Sequence, residues 1–111
     1  MKVKTNMQDD VAVVHVGGKL MGGPESEELR SVIKGLIDEG VRKFVISLKD
    51  VPWINSTGLG AIMAAYTSIQ RAEGALRLCH VSDRIQSLFM ITKLLTIFDT
   101  LPTEEEAISS F

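Results

Sequence analysis

Apolar residues recur with two different periods along this chain, and each change of period separates a predicted strand from a predicted helix. The mostly apolar, β-branched run Phe44–Leu48 is typical of an interior strand. After a short polar segment, apolar residues recur at steps of three and four, which predicts an amphipathic helix from about Ser56 to Glu73. Its stripe is Leu59, Ile62, Met63, Tyr66 and Ile69. Gly74 is the expected C-cap and Ala75–Cys79 the next strand, so these two strands should pair in parallel.

The segment before this unit predicts a hairpin followed by a helix. Val3–Met7 and Val11–Val16 are strand candidates on either side of a polar turn. Pro24 suits the first position of a helix, and Gly40 is the expected end. The apolar stripe of that helix is Leu29, Val32, Ile33, Leu36 and Ile37.

Three further elements are expected after the second parallel strand. Ser82-Asp83 can cap a helix that carries Ile85, Leu88 and Phe89, with Leu94 and Leu95 closing it. Ile97-Phe98 is a candidate edge strand, and Thr103 and Glu106 have capping-box spacing for a last helix. The prediction is an α/β fold over residues 1–111, a single small domain with a mixed four- to five-stranded sheet and helices packed against it.

Composition narrows the classes of function. The chain has 111 residues, a net charge of −2 and a pI near 5.6, which argues against a nucleic-acid partner. One cysteine fits a reducing compartment. No apolar run follows the basic start Met1–Lys4, so no signal peptide is expected, and no run approaches the ~18 apolar residues of a membrane span. We therefore expect a cytoplasmic protein with no membrane contact.

The polar turn Asn55–Gly60 is the best candidate for chemistry. Ser56 falls at a helix N-terminus, where free N–H groups and the helix dipole favour negative charge. Its hydroxyl could be a cap, a nucleophile or a phosphate acceptor. A nucleophile elbow would need glycine where Ile54 stands, and neither His15 nor His80 has an obvious placement as its base.

Other chemistries have weaker support. Gly17-Gly18-Lys19-Leu20 does not match a Walker loop, and Gly58-Leu59-Gly60 lacks the third glycine of a dinucleotide-binding fingerprint. His15, Cys79 and His80 lack the spacing of metal ligands. No catalytic residue, metal or cofactor is expected, and Cys79 is predicted to be a core residue. Trp53 could anchor a partner, but closing the sheet end over the core is the favoured interpretation. Phosphorylation suits Ser56, since a phosphate at a helix N-terminus meets backbone N–H groups without unfolding the domain.

The stretch Val45–Gly60, ending in Asn-Ser-Thr-Gly-Leu-Gly, resembles the signature of STAS domains, the family of anti-sigma-factor antagonists. That family has an apolar strand, a short acidic loop and then Asp-Ser-Ser/Thr-Gly-Leu-Gly at the start of a helix. The early hairpin, Gly18-x-Leu20 and the later Ile85–Phe89 helix extend the resemblance over most of the chain. In place of the family's acids this chain has Asn55 and Met21.

The resemblance implies a regulator in a partner switch and not an enzyme. The unmodified antagonist binds an anti-sigma factor that is also a serine kinase, which frees a sigma factor. Phosphorylation at the position of Ser56, with Thr57 as second choice, abolishes binding, and a serine phosphatase resets the protein. The implied docking surface comprises Leu20, Met21, Gly22, Gly23, Asn55, Ser56, Thr57, Gly58, Leu59 and Gly60. The alternative is a STAS subunit that is a structural or regulatory partner in a transport or sensory assembly.

Overall fold

The computed structural model describes residues 3–18, 24–93 and 97–111. Within these residues the chain forms five strands and four helices. In chain order they are β1 Val3–Gln8, β2 Val11–Gly17, α1 Pro24–Asp38, β3 Lys43–Asp50, α2 Ser56–Arg71, β4 Ala75–Cys79, α3 Asp83–Ile91, β5 Asp99–Leu101 and α4 Glu104–Ser109. The predicted α/β fold is confirmed.

The strands lie in the sheet in the same order as in the chain. β1 pairs with β2 in the antiparallel direction, and β2, β3, β4 and β5 pair successively in parallel. Helices α1, α2 and α3 are the three crossover connections between these parallel strands. The sheet is therefore mixed, as predicted, and the carboxyl ends of its four parallel strands share one edge.

Alternating residues of the central strands divide the core between the two faces of the sheet. On one face, Phe44, Ile46 and Leu48 of β3 pack in the larger cluster with the buried residues of α1, α2 and α3. On the other face, Val45 belongs to a smaller cluster that includes Ala107 of α4. α2 and α4 thus lie on opposite faces, and a change of one residue in register would exchange the two sets.

Both long helices end in a Schellman motif, but the role predicted for Gly74 was wrong. α1 ends as expected at Gly40, which has φ +96°. After α2, the left-handed residue is Glu73, with φ 62°, and the N–H of Gly74 donates to the carbonyl of Ile69 at 2.8 Å. Gly74 is needed for another reason, since a Cβ there would lie 2.5 Å from the carbonyl oxygen of Arg42. Its place is fixed by close packing against the start of β3.

The last strand is also displaced from its predicted position. Ile97-Phe98 is not a strand; Asp99–Leu101 is, and it pairs with β4. Phe98 is 4% exposed and its ring packs against Tyr66 and Phe89, so burial of an aromatic ring and not strand pairing explains this apolar pair. Leu94 and Leu95, predicted to close α3, lie outside the described residues.

Candidate functional site

The polar turn lies where the chain passes from β3 to α2, at the carboxyl edge of the sheet. Two buried apolar side chains, Val51 and Ile54, attach this connection to the core, with 1% and 0% of their surface exposed. Between them, Pro52 and Trp53 face solvent. These buried side chains therefore fix the start of α2 against the core, while the first turn of the helix remains accessible to solvent.

Asn55 is the N-cap of α2. Its backbone is extended, with φ −100° and ψ −175°, and its side-chain Oδ1 accepts a hydrogen bond from the N–H of Gly58 at 2.8 Å. Its carbonyl accepts the first helical hydrogen bond, from the N–H of Leu59, at 2.9 Å. Asparagine satisfies the helix end in this way without adding a charge beside Ser56.

The cap predicts a pair of opposite changes in stability. Asn55→Ala should lower the free energy of unfolding by about 1 kcal/mol, because the N–H of Gly58 loses its acceptor. Asn55→Asp keeps the acceptor and adds negative charge at the positive end of the helix, so it should raise that free energy by roughly 0.3–1 kcal/mol. Urea denaturation of the three proteins measures both changes. Equal losses in the two variants would contradict this role of the side chain.

Ser56 occupies the first helical position and is exposed to solvent, as is Thr57. No acidic residue lies in the first turn of α2. Gly58 is buried, Leu59 is partly buried and Gly60 is exposed, so the most accessible part of the turn consists of small residues around two hydroxyl groups. This surface can accept an incoming phosphate without like-charge repulsion from its own helix.

The second predicted docking loop can be located only through the residues on either side of it. Gly17 pairs with Asp50, and the N–H of Gly18 donates to the carbonyl of Asp50 at 3.0 Å. The chain thus leaves β2 beside the end of β3, at the same edge of the sheet as the turn. Pro24 then begins α1, as predicted. The predicted docking residues Leu20, Met21, Gly22 and Gly23 lie outside the described residues.

Two exposed side chains near the turn form a contact between different elements. The guanidinium of Arg84 lies over the ring of Trp53, 5.8 Å from its centre. Trp53 is 37% exposed and therefore does not close the sheet end as a core residue would. Arg84 was not among the residues predicted from the sequence. Its position one residue after the predicted cap pair Ser82-Asp83 was the available signal, because the first turn of α3 follows β4 at this same edge.

Comparison with known proteins agrees with this arrangement. The model of the STAS domain family matches residues 2–107. The chain belongs to the STAS domain family.

Individual relatives give the same result for this STAS domain. The anti-sigma-B factor antagonist of Staphylococcus aureus is 34% identical over 96 residues, which cover 85% of this chain and 86% of the relative. An anti-sigma factor antagonist from Mycobacterium paratuberculosis has the same fold, with a TM-score of 0.82 at 22% identity, over 98% of this chain and 92% of that one. The Bacillus cell fate determinant SpoIIAA in its phosphorylated form superimposes with a TM-score of 0.76 at 21% identity, over 98% of both chains.

The two histidines of the STAS domain lie at different places on the sheet. His15 of β2 contacts Glu104 of α4 through Nε2 at 3.1 Å, on the sheet face opposite α2. His80 follows β4 with φ 53°. Within residues 3–18, 24–93 and 97–111, no three His, Cys, Asp or Glu side chains could together hold a metal ion. In the same part of the chain, every helix is too short or too polar to cross a bilayer.

Cys79 is a core residue of the STAS domain, as predicted. Its side chain is fully buried, and burial raises the pKa of the thiol to about 11. Burial is the largest of the causes behind this value; the hydrogen bond with Ser47 lowers the pKa, and the nearby carboxylates of Glu104 and Glu105 raise it by less. The thiol is thus protonated at neutral pH, which leaves it a poor nucleophile and a poor metal ligand.

Proposed function

We propose that this protein is an anti-sigma-factor antagonist in a partner switch and that Ser56 is its phosphorylation site. The observation that carries the proposal is the exposed Ser56 hydroxyl at the first position of α2, in a helical turn without acids. The unmodified protein binds an anti-sigma factor that is also a serine kinase, which releases a sigma factor. Phosphorylation ends the binding, and a serine phosphatase restores it. The protein catalyses no reaction of its own.

The fold can accommodate the modified residue. A phosphoserine carries nearly two negative charges and three acceptor oxygens, which suit the N–H groups and positive dipole of a helix N-terminus. Asn55 already satisfies the N–H of Gly58, and this contact does not involve the Ser56 hydroxyl. Phosphorylation should therefore leave the domain folded and act on the partner, which would have to desolvate the phosphate in order to bind.

The docking surface in this proposal is the turn Asn55–Gly60 together with the loop Leu20–Gly23. The residues on either side of that loop support this surface. Gly17 and Gly18 precede the loop and Pro24 follows it, at the same edge of the sheet as Ser56. Two relatives also support the proposal. The S. aureus protein is an anti-sigma-B factor antagonist, and SpoIIAA has been solved in a phosphorylated form.

Incubation with the anti-sigma factor kinase of the same organism and ATP tests the proposal. Intact-mass spectrometry should show the gain of a single phosphate in the native protein and no gain in Ser56→Ala. A phosphate that persists in Ser56→Ala would move the site, with Thr57 as the next residue to change. No gain in the native protein would contradict the partner switch and favour a STAS subunit of a transport or sensory assembly.

Gly60 provides a second test, in which stability and binding should change in opposite directions. A Cβ built on Gly60 meets nothing within 4 Å, so Gly60→Ala should stabilise α2 by roughly 0.5–1 kcal/mol. If the partner's backbone packs closely here, the added methyl group should weaken binding about tenfold or more, since overpacking costs roughly 1–3 kcal/mol. Thermal unfolding and titration calorimetry with the anti-sigma factor measure the two effects.

Gly35 is the matched control for Gly60. It is an exposed glycine within α1, and a Cβ there also meets nothing within 4 Å. Because α1 runs from the carboxyl edge of the sheet back to the opposite edge, Gly35 lies far from Ser56. Gly35→Ala should raise stability and leave binding unchanged. Unchanged binding in Gly60→Ala would exclude close packing of the partner against this glycine.

A further inference from the structure

We propose that Trp53, held beneath Arg84, is the side chain that anchors the anti-sigma factor kinase on this domain. The inference rests on the proposed function. It assigns the affinity for the kinase to Trp53, whereas phosphorylation of Ser56 controls whether binding occurs. Neither the docking residues expected from the sequence nor the phosphorylation site includes Trp53 or Arg84.

The need for an anchor follows from the chemistry of the turn. Asn55, Ser56, Thr57 and Gly60 present small side chains or none, and Leu59 is partly buried against the core, so the turn offers little apolar area to a partner. Most of the binding energy of a protein interface comes from a few residues, and tryptophan and arginine are enriched among them. A large side chain next to the turn adds this apolar area to an interface centred on Ser56, and Trp53 precedes Asn55 by two residues.

Trp53 already has contacts that restrict its motion before any partner arrives. The buried side chains of Val51 and Ile54 fix the backbone on either side of it, and the Arg84 guanidinium lies over its ring. The exposed 37% of the side chain remains available for contact. A side chain that is fixed in this way loses little conformational entropy on binding, which favours its role as an anchor.

The position of Trp53 distinguishes it from the other exposed apolar side chains of the described residues. Met7 of β1 pairs with Ala12, near the amino end of β2. Met90 and Ile91 end α3, about 10 Å along the helix from its first turn. Ile97 precedes β5, at the amino edge of the parallel strands. Trp53 alone among these residues lies at the carboxyl edge, beside Ser56, so a partner seated on it must also cover the switch serine.

The first experiment measures the dissociation constant of the unphosphorylated protein with the purified anti-sigma factor kinase by titration calorimetry. Trp53→Ala should weaken binding about 30-fold or more, as expected for an anchor. Trp53→Phe retains an aromatic ring and should weaken binding less. Met90→Ala removes a more exposed apolar side chain away from this edge and should have no effect. Thermal unfolding verifies that each variant is folded.

The single tryptophan of the chain gives a second measurement that requires no mutation. Protein labelled with 5-fluorotryptophan should show a large change in the ¹⁹F chemical shift of Trp53 when the kinase binds. Phosphorylation of Ser56 in the complex should return the signal to its free position. Unchanged ¹⁹F shift on binding, or unchanged affinity in Trp53→Ala, would overturn the inference.

Phosphorylation kinetics separate this inference from the proposed function. At a saturating concentration of the Trp53→Ala variant, the kinase should still phosphorylate Ser56. The substitution should only raise the KM of the kinase for this protein as its substrate. Absence of phosphate in the native protein would contradict the proposed function. A native protein that is phosphorylated normally, together with a Trp53→Ala variant of unchanged KM, would contradict only the anchor.

Discussion

Ser56→Asp is expected to weaken binding to the anti-sigma factor about 100-fold, because a charge at the centre of the contact costs roughly 2–3 kcal/mol when the partner must desolvate or oppose it. The same substitution places negative charge at the positive end of α2, so the free energy of unfolding should be unchanged or higher by roughly 0.3–1 kcal/mol. Titration calorimetry and urea denaturation measure the two quantities separately.

Two further variants show whether the Ser56→Asp effect is local. Ser56→Ala should bind like the native protein, because it removes a single hydroxyl and adds no charge. Ser31→Asp adds the same charge to an exposed serine of α1 and should leave affinity nearly unchanged. Equal weakening in Ser31→Asp would assign the effect to net charge. Weakening in Ser56→Ala would show that the hydroxyl itself contributes to the contact.

Phe89→Ala is expected to cause the largest loss of stability, about 3–5 kcal/mol. The Phe89 side chain is fully buried, and its ring centre lies 5.5 Å from that of Phe98. Phe98 in turn meets the edge of Tyr66 in α2, also at 5.5 Å between ring centres. Removing Phe89 therefore leaves a cavity where α3, α2 and the approach to β5 meet. Urea denaturation of the native and variant proteins measures the loss.

Phe89→Leu is the matched variant, since it keeps most of the volume and should cost only about 1 kcal/mol. The difference between the two substitutions reports the cavity, separately from the loss of aromatic contact. Similar losses in both variants would show that the ring contacts with Phe98, and not the filled volume, provide the stability.

The sequence predicted most of the fold because its strongest patterns are also its best-buried elements. Phe44, Ile46 and Leu48 are each 1% exposed or less, and the helical stripe from Leu59 to Ile69 faces the same core. The turn was predicted for a similar reason, since a cap, a hydroxyl and glycines between a strand and a helix leave few alternatives. The structure assigns the capping role to Asn55, and so removes one of the three uses expected for the Ser56 hydroxyl.

What the sequence could not predict depends on contacts between distant residues. The sequence around Phe98 is typical of a strand, but the contacts of its ring with Tyr66 and Phe89 determine its position in the structure. Gly74 resembles a C-cap, and only the carbonyl of Arg42 shows why a glycine stands there. The contact of Arg84 with Trp53 joins residues 31 positions apart, and no local periodicity contains that information.

The order of the strands has a consequence for how the protein is made. Each strand pairs with the next one along the chain, so the sheet can grow from β1 to β5 in the order in which a ribosome delivers it. Contacts between elements that are close in sequence generally allow fast folding, because only short loops must close at each step. The β1–β2 hairpin can form first, and each later helix and strand adds to an existing edge. Ser56 follows β3 directly in the chain, so the strand that supports the start of α2 is synthesised before the helix itself.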